Sequence, residues 1–150
     1  MKRIASIAVL AGLTFAAGAA LAHDDAYLDT QKAPNGGQLR MAGPNHYELV
    51  LVKDAKEVRE NPVVVYVTDH AGQKITTAGA SGTATILSGK LKAAATLKPD
   101  GDNRLKGVAK YVSAPDTKVV VSIALAGKQP EQARFTPLAV AKDTHTDHKH

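Results

Sequence analysis

The amino-acid sequence predicts an all-β fold, and three observations support the prediction. Apolar residues alternate with polar ones over much of residues 38–140, and a period of two is typical of strands that bury one face. Glycine, proline, asparagine and aspartate residues interrupt these runs at short intervals. No convincing helical periodicity follows residue 30. Together they predict an antiparallel β-sandwich, immunoglobulin-like or Greek-key, with roughly seven to eight short strands.

The alternation falls into separate segments along the chain. The apolar residues that share a face are, in chain order, Tyr47, Leu49 and Leu51; Val63, Val65 and Val67; Leu91, Ala93, Ala95 and Leu97; Val119, Val121, Ile123 and Leu125; and Ala133 and Phe135. Residues 83–88 and 104–112 are shorter candidates. Val64 and Tyr66 make the second segment apolar on both faces, which predicts a central strand.

Turn-forming residues separate these segments at positions 69–72, 88–89 and 99–103. The last of these turns spaces its acidic residues like the start of a calcium loop. It lacks the closing glutamate of an EF-hand, so we interpret it as a hairpin turn. Residues 54–60 have the composition for one helical turn, which the following Asn-Pro pair would end.

The chain begins with a leader that is typical of export. Residues 2–3 are basic and residues 4–20 are apolar or small, while Ala20 and Ala22 occupy positions −3 and −1 of a cleavage site before His23. A membrane anchor is the alternative, but the apolar run is short and rich in alanine and glycine. We therefore predict a cleaved signal peptide and a periplasmic protein without a membrane anchor.

Four parts follow from these patterns. Residues 1–22 form the signal peptide, and residues 23–37 form a polar, turn-rich N-terminal lead. Residues 38–140 form the β-sandwich domain, which is long enough to bury a core of its own. Residues 141–150 form a polar, histidine-rich tail that we expect to be disordered.

The composition excludes several functional classes. The chain has no cysteine, which excludes thiolate metal sites, disulfides and thiol redox chemistry. The net charge of +5 falls when the leader is removed, and no basic cluster with interleaved aromatic residues indicates nucleic-acid binding. No nucleophile elbow, zinc-protease motif or phosphate-binding loop is present. We therefore predict that the protein is not an enzyme.

The histidines are the most informative chemical feature, and the first depends on the cleavage site. A cut after Ala22 makes His23 the N-terminal residue, whose α-amine and imidazole can together chelate one metal ion. Nitrogen-rich tetragonal sites of this kind suit Cu(II), and Asp24 adds a nearby oxygen ligand. Metal binding displaces protons from both nitrogens, so it weakens in acid. The alternative is an ordinary frayed terminus.

Two further pairs of candidate ligands lie within the domain. His46 and Glu48 are two residues apart on one strand face, which we predict to point outward, so an imidazole and a carboxylate could reach one ion. Asp69 and His70 lie in a predicted hairpin turn. The simpler alternatives are a solvated polar face for the first pair and ordinary turn residues for the second, with Asp69 bonded to its local backbone.

The C-terminal tail carries the remaining histidines, His145, His148 and His150. Such a segment is typical of flexible, unselective metal capture. The alternative is a solvated end without a binding role.

Several segments resemble small periplasmic proteins found with heavy-metal efflux systems of the resistance-nodulation-division type, and the N-terminal segments of some periplasmic adaptors of those pumps. These segments are YVTDHAG (66–72), TAGASGTATILSG (77–89), LKPDGDNRL (97–105), QARFT (132–136), NGGQ (35–38) and HYELV (46–50). The resemblance implies a β-sandwich and a metal-resistance setting. Family members often have histidine at the position of Asn35, so this chain lacks that potential ligand.

A second resemblance is limited to the kind of site. His23 with Asp69 and His70 is similar to the arrangement in small periplasmic copper-resistance carriers, in which an N-terminal histidine binds Cu(II) together with a later aspartate and histidine. Our functional prediction is a periplasmic carrier or buffer of Cu(II) or Zn(II) that passes the ion to an efflux pump. The alternative is an interaction module that docks on an efflux adaptor or another envelope protein and binds no metal.

Overall fold

The computed structural model describes residues 25–140 and has the predicted all-β antiparallel fold. Its elements are, in chain order, α1 (Asp25–Asp29), β1 (Gln38–Ala42), β2 (Asn45–Leu51), β3 (Arg59–Asp69), β4 (Ser81–Ser88), β5 (Leu91–Pro99), β6 (Arg104–Tyr111), β7 (Lys118–Ala124) and β8 (Glu131–Phe135). The segments predicted from alternation correspond to β2 to β8. The predicted signal peptide and C-terminal tail lie outside the described residues.

The strands form one sheet in the order β1-β2-β3-β6-β5-β4-β7-β8. Consecutive hairpins join β4, β5 and β6, and β3 and β7 flank this unit on either side, which gives Greek-key connections. The hydrogen-bonded ladder between β5 and β6 is short, and within it Lys98 lies opposite Lys106. At the seam between β1 and β8, Gln38 Oε1 accepts a hydrogen bond of 2.8 Å from Thr136 N. The sheet therefore nearly closes on itself.

The inner face of the sheet carries an apolar core whose largest buried side chains include Tyr47, Tyr111 and Phe135. The prediction that the alternating apolar residues face inward is confirmed, except at the start of β5, where Leu91 and Ala93 are only half-buried. The predicted central position of β3 is also confirmed, because β3 pairs with β2 on one side and β6 on the other. On its outer face Val64 and Tyr66 are half-buried.

Turn chemistry follows the sequence closely. Gly89 has a φ of 58° in the tight turn between β4 and β5, a conformation that glycine adopts without steric cost. The helical turn considered for residues 54–60 is absent. Instead, Ala55 N donates a 3.0 Å hydrogen bond to Ser113 Oγ, and Ala55 O accepts a 2.8 Å bond from Ser113 N. These non-local bonds hold the segment out of a helical conformation.

The N-terminal lead contains the one element that alternation does not reveal in this region, the five-residue helix α1. Leu28 of α1 is 2% exposed, so this helix packs against the sheet. Lead residues between 27 and 35 line one pocket with His46 and Glu48, and Asn35 and Gly37 bond to Glu48, so the lead covers the outer face of β2, which is buried on both faces. Within residues 25–140, no helix has the length and apolarity needed to cross a bilayer.

Candidate functional site

A pocket of about 470 Å³ lies between the N-terminal lead and the outer face of β2 and β3. The lead contributes one wall, the two strands form the floor, and the turn after β3 closes the far end. The side chains that matter chemically are Tyr27, Lys32, His46, Glu48, Tyr66, Thr68, His70 and Lys74. The pocket therefore brings three of the four predicted ligands of the domain, His46, Glu48 and His70, to the same region as the N-terminal lead, while Asp69 does not line it.

His46 and His70 meet at this pocket. Their ring centroids are 4.9 Å apart and the ring planes are 19° from parallel, which is a stacked arrangement. The antiparallel register explains the meeting, because His46 lies opposite Thr68 on β3 and His70 follows two residues later. His46 is 8% exposed, whereas His70 is exposed at the turn. One ring is therefore fixed in the sheet, and the other lies on a turn that water reaches.

Glu48 is not the exposed ligand that the sequence suggests. Its carboxylate is 3% exposed and accepts hydrogen bonds from Asn35 N at 2.9 Å, Asn35 Nδ2 at 3.0 Å and Gly37 N at 2.9 Å. The predicted side of the strand is right, but the predicted exposure of His46 and Glu48 is wrong because the lead covers them. Glu48 anchors the loop at residues 35–37.

Asp69 has the local role that the simpler alternative describes. Its Oδ1 accepts hydrogen bonds from Ala71 N at 2.9 Å and from Gln73 N at 2.8 Å. Gly72 supports the same turn with a φ of 79°. These bonds fix the turn that presents His70 to the pocket, so Asp69 positions the histidine and its carboxylate is already engaged.

Arg40 is a functional neighbour that the sequence does not reveal. Its side chain is buried and forms ion pairs with Asp29 at 2.8 Å and with Asp25 at 3.5 Å. The two aspartates are four residues apart and share one face of α1, and this spacing is the only sequence signal for the contact. Arg40 thus holds α1, and with it the wall of the pocket, against β1.

Arg104 marks the boundary of the pocket region on the outer face. It pairs with Asp100 at 2.9 Å. A hydrogen bond to Tyr66, with the charge of Asp100 second, raises the pKa of Arg104 above its ordinary value. Tyr66 lines the pocket and Asp100 lies beyond it, so Arg104 stands between two regions of the outer face.

The remaining candidate ligands fall outside this geometry. His23, Asp24, His145, His148 and His150 lie outside the described residues. Among residues 25–140, no group of three or more histidines and acidic residues is arranged to hold a metal ion. The domain itself therefore offers a histidine pair and not a complete coordination sphere.

Comparison with known proteins identifies no relative of this chain. The chain matches no family model and no curated protein sequence. The resemblance to efflux-associated proteins accordingly stays a prediction.

Proposed function

We propose that this protein binds Cu(II) or Zn(II) at the pocket of His46 and His70 and serves as a periplasmic carrier or buffer of that ion in heavy-metal resistance or efflux. The observation that carries the proposal is the meeting of these two histidines beside the N-terminal lead. They come from a strand and a turn that are distant in sequence, and neither is required for the apolar core.

The donor set favours a nitrogen-liganded ion. Glu48 and Asp69 already accept backbone hydrogen bonds, so two of the predicted carboxylate ligands are engaged elsewhere. Imidazole nitrogens suit Cu(II) and Zn(II), whereas calcium and magnesium require oxygen ligands. Lys32 and Lys74 also line the pocket, and their charge disfavours an ion held only by electrostatic attraction.

The histidine pair supplies two nitrogens, and the N-terminal residue is the proposed source of two more. His23 lies two residues before α1, so at most about 7 Å of extended chain separates it from Asp25, and Tyr27 of the pocket wall follows within the helix. After cleavage before His23, its amine and imidazole would complete a four-nitrogen set. Cu(II) prefers such a tetragonal set, so we favour copper over zinc.

Binding requires one ring to turn. Nearly parallel stacked rings direct their nitrogens along nearly parallel lines, whereas two ligands of one ion must converge on a point. His70 lies on an exposed turn, while His46 is buried within β2, so we expect the ring of His70 to be the one that turns. We expect the metal ion to replace the stacked arrangement with a convergent one.

The test is titration of the processed protein, beginning at His23, with Cu(II) against a competing chelator, followed by EPR. We expect His70→Ala to weaken copper binding by at least about tenfold, because loss even of an outer-shell partner costs that much. His46→Gln should act in the same direction, with circular dichroism to confirm folding. Lys128→Ala, at an exposed position outside the pocket, is the control and should leave the affinity unchanged.

A second variant distinguishes copper binding at the pocket from copper binding at the chain terminus alone. One alanine added before His23 moves the α-amine away from its imidazole. Weaker binding in this variant and in His70→Ala supports the shared site. If the added alanine abolishes binding while His70→Ala and His46→Gln bind normally, copper is held by the terminus alone and the proposed pocket site is wrong.

A further inference from the structure

The outer face of β5 and β6 carries a second, separate feature. Val108 is 53% exposed at its centre. Exposed lysines surround this apolar centre on both strands, and we call this surface the basic face; its lysines are Lys92, Lys98, Lys106 and Lys110. None of the residues that line its groove also lines the histidine pocket.

The charge of the basic face is poorly compensated. Lys98 lies directly opposite Lys106, and like charges at opposed positions of a sheet are destabilising. The nearest acidic side chain in the groove, Asp100, is already paired with Arg104. Glu60 lies opposite Lys110 and offsets the charge at one end only. The fold thus tolerates a local repulsion that an acidic ligand would relieve.

The length of the basic face suits an extended chain. A shallow, open depression of about 600 Å³, which we call the groove, lies over β5 and β6 and is lined by Ala94, Thr96, Lys98, Lys106, Gly107 and Val108. A Cβ atom on Gly107 would lie 2.3 Å from Thr96 O, so only glycine permits this close approach of the two strands. From Lys92 to Lys98 the strand spans about 20 Å, the length of roughly six extended residues.

We propose that the basic face binds an acidic, extended segment of a partner protein, with an apolar side chain of that segment over Val108. The lining residues are non-aromatic, whereas single-stranded nucleic acids bind on aromatic stacking platforms. Membrane-surface binding uses protruding bulky apolar side chains, but Val108 lies within a strand beside a groove. Charge complementarity with the exposed lysines therefore favours an acidic polypeptide.

The test uses a labelled peptide, Glu-Val-Glu-Val-Glu-Val with blocked ends, and its Lys-Val counterpart, measured by fluorescence anisotropy. We expect the acidic peptide to bind, with an affinity that falls as salt rises, and the basic peptide not to bind. The double variant Lys98→Glu/Lys106→Glu should weaken binding by roughly tenfold or more. Lys128→Glu/Arg134→Glu makes the same change of charge on exposed residues outside the groove and should have little effect.

Other occupants would give different results. Binding to phosphatidylglycerol vesicles with the same dependence on Lys98 and Lys106, and no binding of the acidic peptide, would show a membrane surface and overturn the proposal. Concentration-dependent dimers abolished by Lys98→Glu/Lys106→Glu, again without peptide binding, would show a second copy of this chain as the occupant. Equal weakening by both double variants would show only a general charge effect.

This proposal does not depend on copper binding. Lys98→Glu/Lys106→Glu should leave the copper titration unchanged, and His70→Ala should leave the peptide affinity unchanged. Val108→Ser adds a readout for the apolar centre, and we expect a loss of peptide affinity that high salt does not remove.

Discussion

The outer face of the sheet has two halves that differ in what covers them. The half formed by β2 and the end of β3 lies under residues 25–37, and its polar side chains, including His46 and Glu48, are buried. The half formed by β5 and β6 has no such covering in the described chain, and its lysines face water. Both halves arise from the same alternation along continuous antiparallel strands.

This difference shows how a cover changes the role of a polar residue. On the covered half, a carboxylate must be bonded because a buried charge without partners is costly. Glu48 satisfies this requirement with the backbone of the loop at residues 35–37. On the exposed half, formed by β5 and β6, the repulsion between Lys98 and Lys106 costs little because water and salt screen their charges. Burial therefore favours a fixed site on one half, and exposure favours a docking surface on the other.

The largest expected effect compares the buried Glu48 of the covered half with Glu60, an exposed glutamate outside that half. Glu48→Ala leaves the buried donors of Asn35 and Gly37 without their acceptor, and we expect a loss of about 3 kcal/mol in the free energy of unfolding. Glu60→Ala, on the exposed part of β3, should change it by about 0.5 kcal/mol or less. Urea denaturation of both variants measures the difference. Equal losses would mean that the cover contributes nothing to stability.

The next effect is a dependence of stability on pH that arises from Tyr47, which lies on the inner face of β2. Burial, with the charge of Glu131 second, raises the pKa of Tyr47 to about 12 from an ordinary value of 10.0. Below pH 10 the phenol of Tyr47 is neutral in both the folded and the unfolded state, so its full contribution to the free energy of unfolding is present. Between pH 10 and 12 the unfolded chain ionises first, and stability is lost as the pH rises. Thermal melts across this range should show a smaller decline for Tyr47→Phe than for the unmodified protein.

A smaller expected effect concerns the attachment of residues 25–37, which cover the outer face of β2. Arg40→Met removes the ion pairs to Asp25 and Asp29, and we expect a loss of about 1 kcal/mol because both aspartates are partly exposed to water. Hydrogen exchange should accelerate at the amides of Thr30 and Gln31, which are bonded to α1. Arg134→Met on β8 is the matched control. Unchanged exchange in Arg40→Met would show that Leu28 alone holds the helix.

The smallest expected effect is a change in stability on the exposed half, formed by β5 and β6. Lys98→Glu replaces a like-charge pair with an attractive one opposite Lys106, and we expect a gain of about 0.5 kcal/mol. The gain should shrink at high salt, since exposed charges are screened. Chemical denaturation at low and high ionic strength measures both quantities. A loss of stability at low salt would mean that Lys98 has a structural partner in the fold.

The sequence predicts the fold well because strands and turns leave local signals. Alternation assigns the inner residues of β2, β3, β5, β7 and β8 and marks β4 and β6 as shorter candidates, and the turn residues place the hairpins. β1 gives no such signal, because one of its two buried positions is occupied by Arg40, which is paired with Asp29 of α1, and only the other, Ala42, is apolar. The sequence does not predict α1 either, because five residues are too few to show a helical period.

The candidate site divides in the same way. The sequence by itself determined the ligand types, the absence of cysteine and the face of the strand on which His46 and Glu48 lie. Only the tertiary structure decided that this face is covered, that Glu48 anchors a loop, and that His46 stacks on His70. The physical reason is that a period of two specifies which side of a strand a residue takes. What lies over that side depends on contacts between distant parts of the chain, which no local pattern records.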